Sequence, residues 1–83
     1  MAALLRETYN LNKEVKILEK QLNSVLDQIH NYEIEVTNNR NCIYIRHALD
    51  EQITEARRKV EVIKLKVAEK KALIRSNYSN LFK

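Results

Sequence analysis

The stretch "EVTNNRNCIYIRH", residues 35–47, lies at the centre of an 83-residue chain that contains no Gly and no Pro. Three Asn residues and one Thr interrupt a run of strong helix formers there. Because tight turns depend largely on Gly and Pro, the composition argues against sheets and multi-loop folds and favours long helices. The fold therefore depends on whether the chain reverses direction within this stretch or continues through it as one helix.

A heptad repeat of apolar residues flanks this stretch on both sides. Such residues recur at alternating steps of three and four from Leu4 to Val36 and again from Leu49 to Ile74, which is the coiled-coil pattern. The second repeat is shifted in phase by three residues, which a turn absorbs and a continuous helix absorbs only as a stammer. The predicted seam consists of Leu11, Val15, Leu18, Leu22, Val25 and Ile29 in the first segment and Leu49, Ile53, Val60, Ile63, Val67 and Ile74 in the second.

The charges that flank the two repeats have opposite signs. Residues 1–36 contain four basic and six acidic residues, a net charge of −2, whereas residues 42–83 contain ten basic and five acidic residues, a net charge of +5. Parallel self-pairing would bring like charges together across the seam, as with Glu14 and Glu19 or Lys59 and Lys64. The pattern favours pairing of the first segment with the second.

We therefore predict an all-α antiparallel coiled-coil helical hairpin that forms one module over residues 1–83 and can dimerise into a four-helix bundle. The predicted helices span residues 2–36 and 42–80, and the turn spans residues 37–41. Asn tolerates the left-handed conformation that ends helices and can replace Gly there. The alternative is one continuous helix in an antiparallel or heteromeric coiled coil.

The apolar residues also predict which positions face one another. The preferred register places Leu11 opposite Val67 and Leu4 opposite Ile74, so that Thr8 and Lys70, the two polar exceptions, share one layer. A register slipped by one heptad satisfies the apolar residues equally well but leaves Val15 opposite Lys70.

A second apolar stripe lies off the seam of the second helix, at positions that a two-helix hairpin leaves exposed. Stripes of this kind indicate a partner helix. We interpret the chain as a non-enzymatic protein-interaction and assembly module of a larger intracellular complex, of scaffold, tether or cytoskeletal type, and a homo- or hetero-oligomer. The predicted partner face consists of Val62, Leu65, Ala68 and Ala72.

Other functions have weaker support in the sequence. We predict no catalytic, metal or cofactor site, because His30, His47 and Cys42 do not share one helix face and no nucleophile or phosphate-loop motif is present. The basic second helix suggests an alternative, a nucleic-acid- or acidic-membrane-binding module, although Glu61 and Glu69 interrupt the basic patch. The first ten residues, "MAALLRETYN", do not resemble a secretory signal, so we expect a cytoplasmic or nuclear location.

Overall fold

The chain folds into two long helices joined by a short turn, in a computed structural model that describes residues 2–81. Helix α1 spans Ala2–Asn38 and helix α2 spans Ile43–Leu81. The two helices pack side by side along their length, and the hairpin measures 62 × 14 × 14 Å. Within the described range there is no strand. The all-α helical hairpin predicted from the sequence is confirmed.

The turn differs from its prediction in position and in conformation. It occupies residues 39–42 rather than 37–41, because α1 continues through Asn38. The amide N–H of Asn39 donates to the carbonyl oxygen of Glu35 at 3.0 Å, and the Asn39 side-chain amide donates to the same oxygen at 2.8 Å. No described residue has a positive φ. The expectation of a left-handed Asn is therefore wrong, and a side-chain hydrogen bond caps the helix instead.

The second helix begins with a similar local arrangement. The amide N–H of Cys42 donates to the carbonyl oxygen of Asn39 at 3.1 Å, which closes the turn, and Arg46 donates from its amide to the carbonyl of Cys42 at 3.0 Å. The Arg46 guanidinium also donates to the carbonyl oxygen of Arg40 at 3.3 Å. These bonds satisfy backbone carbonyls that the turn would otherwise leave without partners.

Burial along both helices follows the heptad repeat. Every residue of the predicted seam is buried or half-buried, and the deepest positions are exposed by less than a tenth. A stripe of this kind stabilises a long helix far more than intrinsic propensity does. The buried apolar residues are Leu11, Val15, Leu49, Ile53, Ala56, Val60 and Ile74.

The helices pair one heptad away from the preferred register. Leu11, Val15 and Ile74 form one buried cluster, and Val67 packs against it. The preferred register would have placed Ile74 opposite Leu4, about 10 Å from this position. The prediction of that register is wrong, and the alternative that sets Val15 opposite Lys70 describes the structure.

The slipped register brings two polar residues into one layer. It places Thr8 opposite Asn77, and these are the two buried polar residues of the described chain. The Thr8 hydroxyl donates to the carbonyl of Leu4 at 2.9 Å, whereas the Asn77 side-chain nitrogen has no hydrogen-bond partner among the described residues. Lys70 leaves the seam because its long side chain can carry the ammonium group out to the carboxylate of Glu14 at 2.8 Å.

Candidate partner-binding face

The outer side of α2 carries the predicted partner face. Leu65 is 63% exposed and Val62 is 50% exposed, and Ala68 and Ala72 are also exposed. These residues lie on the side of α2 away from the buried stripe, so α1 does not cover them. Two large aliphatic side chains this accessible, one turn apart on one helix, form a surface that a further helix can cover.

An open groove between the two helices is lined by apolar side chains from both. Ile17 is 57% exposed and Leu73 is 50% exposed, and both line the groove together with the half-buried Leu18. Lys66 and Glu69 also line it, as do the ion-paired Glu14 and Lys70. The groove has a volume of about 470 Å³. A groove lined by apolar side chains together with charged groups of both signs is the kind of surface that helix-in-groove partners occupy.

Ion pairs join the acidic flank of α1 to the basic flank of α2. Glu33 lies 3.5 Å from Arg57, and Glu19 lies 3.7 Å from Lys71, measured between carboxylate oxygen and side-chain nitrogen. All four side chains are at least half exposed, so each pair stabilises the hairpin by less than about 1 kcal/mol. Their main effect is on specificity, because they reward pairing of α1 with α2. They also occupy basic residues that a phosphate-binding surface would need.

The tip of the hairpin presents a second apolar patch, which the sequence interpretation missed. Ile43 is 77% exposed and Tyr44 is 88% exposed, and Ile45 beside them is also exposed. Arg40 and Arg46 lie at the same end, joined by the hydrogen bond described above. The sequence signal for this patch was the apolar run "IYI" directly after the turn, which lies outside the two heptad repeats.

Groups that could support chemistry are few and separated. His47 contacts Glu51 at 3.2 Å within its own helix, both side chains being exposed, and Cys42 is a half-buried free thiol at the turn. Over residues 2–81 no cluster of three or more His, Cys, Asp or Glu residues could hold a metal ion. Neither described helix has an apolar stretch long enough to cross a membrane.

Comparison with known proteins adds no relative. No family model, curated protein or solved structure matches the chain.

Proposed function

We propose that the hairpin is an antiparallel coiled coil that acts as a non-enzymatic assembly module, a subunit of scaffold, tether or cytoskeletal type inside the cell. One observation carries the proposal, namely the exposed apolar stripe on α2 centred on Val62 and Leu65. The buried seam already stabilises the hairpin, so these residues are not needed to hold it together. Covering them with a partner helix would remove apolar surface from water and drive association.

Substitution of Leu65 tests this function. Leu65→Lys places a charge at the centre of the stripe, where interfaces exclude Lys, and leaves the seam intact. We expect unchanged helicity, a change in the free energy of unfolding within about 0.5 kcal/mol, and loss of higher assembly. The matched control is Ile63→Lys, which puts the same charge into the half-buried seam and should unfold the hairpin. A Leu65→Lys protein that assembles like the wild type would refute the proposed face.

The tip favours a second candidate function, which is binding to an acidic membrane surface. Ile43 and Tyr44 could enter the boundary between headgroups and acyl chains, while Arg40 and Arg46 contact anionic headgroups. This arrangement suits lipid better than nucleic acid. Successive nucleobases stack on several aromatic side chains, whereas Tyr44 is the one exposed aromatic among the described residues beside Arg40 and Arg46. Binding to vesicles of anionic lipid that weakens with added salt, and is absent from vesicles of zwitterionic lipid, would support it. No binding to anionic vesicles at low salt would exclude it.

A further inference from the structure

The outer face of α2 contains a charge pattern that is complementary to itself. Arg58, Val62, Leu65 and Glu69 follow one another at steps of four, three and four, which places them along one side of the helix. The Arg58 side chain is 75% exposed, and the two apolar residues are at least half exposed. One basic end, an apolar centre and one acidic end therefore lie in a line on one side of α2, outside the buried seam.

We infer that this face binds the same face of a second copy of the chain, with the two α2 helices antiparallel. Val62 then lies opposite Leu65 of the second copy, and Arg58 lies opposite Glu69 of the second copy. The two-fold axis repeats each contact, so four apolar side chains form the centre and two ion pairs close the ends. This inference rests on the proposed function and specifies the partner of its apolar stripe.

The symmetry of the pattern identifies both the occupant and the orientation. The midpoint between Val62 and Leu65 is also the midpoint between Arg58 and Glu69. Reversing the helix about this point therefore sets an apolar residue opposite an apolar residue and a base opposite an acid, as an antiparallel self-contact requires. A parallel contact would place Arg58 against Arg58 of the second copy and Glu69 against its own equivalent. Arg58 is available for the new contact, because its present partner is Glu55 of the same helix at 3.7 Å, a weak exposed pair.

Charge exchange on the full chain tests the inference. Sedimentation equilibrium would measure the dimer Kd of the wild type, Arg58→Glu, Glu69→Arg and the double variant that carries both changes. Each single change creates two like-charge contacts, so we expect its Kd to rise at least about tenfold. The double variant restores opposite charges with the ends exchanged, and its Kd should return to within about threefold of the wild type. The control is Arg75→Glu, the same charge change off this face, which should leave the Kd unaltered.

The outcomes separate this inference from the function on which it rests. Circular dichroism would first establish that each variant keeps the wild-type helicity. A wild-type chain that stays monomeric up to about 1 mM overturns the inference, as does a double variant that dimerises no better than the single ones. If Leu65→Lys abolishes assembly while both charge variants assemble normally, the partner face is retained and the antiparallel second copy is rejected. If neither Leu65→Lys nor the charge variants change the dimer Kd, the chain forms the alternative antiparallel pair of continuous helices, and the inference is overturned.

Discussion

Paired cysteines can measure the register of the hairpin directly. In a Cys42→Ser background, one variant carries Leu11→Cys with Ile74→Cys and the other carries Leu4→Cys with Ile74→Cys. Leu11 and Ile74 belong to the same buried cluster, whereas Leu4 lies one heptad, or about 10 Å, further along α1. A disulfide requires Cα atoms within about 7 Å, so only the first pair should close without distortion.

The expected effect is large enough to measure by two methods. Closing a loop of about 60 residues stabilises the folded chain by about 4 kcal/mol relative to the same protein reduced. The melting temperature of the Leu11–Ile74 variant should therefore rise on oxidation, and non-reducing electrophoresis should show an intramolecular crosslink at monomer mass. Efficient closure of the Leu4–Ile74 pair instead would show that the described register is wrong. A crosslink found only between chains would show a swapped dimer of straight helices in place of the hairpin.

Three further variants test burial at separate points of the fold. Val60→Asp buries a carboxylate at a position only 6% exposed and should cost about 4 kcal/mol, seen as lost helicity by circular dichroism. Wild-type helicity would contradict the assigned seam. Asn77→Leu removes a buried amide without a partner and should stabilise the hairpin by about 1–2 kcal/mol in thermal melts. A lower melting temperature would indicate that Asn77 is satisfied in solution. The double change Ile43→Ser with Tyr44→Ser should alter stability by less than about 0.5 kcal/mol, because both side chains are exposed. A larger loss in melts would show that the tip is covered.

The sequence predicts the hairpin well because two independent patterns agree. The heptad spacing identifies one buried side for each helix, and the opposite charges of Glu33 and Arg57, or Glu19 and Lys71, distinguish pairing between the helices from pairing with themselves. The register is harder to predict, because a slip of one heptad replaces most apolar partners by other apolar residues. Only the polar exceptions in the seam separate the two registers.

The error in register comes from treating two polar side chains alike. The preferred register assumes that Thr8 and Lys70 both remain in the seam, but a Lys side chain is long enough to reach Glu14 outside it. The short side chain of Asn77 stays in the seam opposite Thr8 without a hydrogen-bond partner among the described residues, so this polar layer does not itself stabilise the register. Asn77 lies three residues beyond Ile74, at the next seam position of the repeat, and the predicted helix to residue 80 already contains it.

The candidate site was predictable in part. Val62 and Leu65 lie far from the seam on any helical wheel, so their exposure follows from spacing alone. Leu73 flanks the seam, and whether such a residue is covered depends on the side chains that α1 presents opposite it. Tyr44 lies three heptads before Leu65, so its exposure follows from the same spacing. The residue at which α1 ends does not, because the Asn39 side chain caps that helix through a hydrogen bond on which sequence periodicity carries no information.

The two sides of α2 carry charge in different patterns, and this difference would let one helix take part in both the hairpin and the proposed contact between copies. Beside the seam its bases lie along both edges, as with Lys59 and Lys64, so contact between two α2 helices through the seam would bring like charges together. The same bases favour α1, whose flanks are acidic. On the outer face the charge changes sign between Arg58 and Glu69, so the proposed contact between copies is attractive only when the helices are antiparallel. Folding of the hairpin and pairing of hairpins therefore do not compete for the same surface.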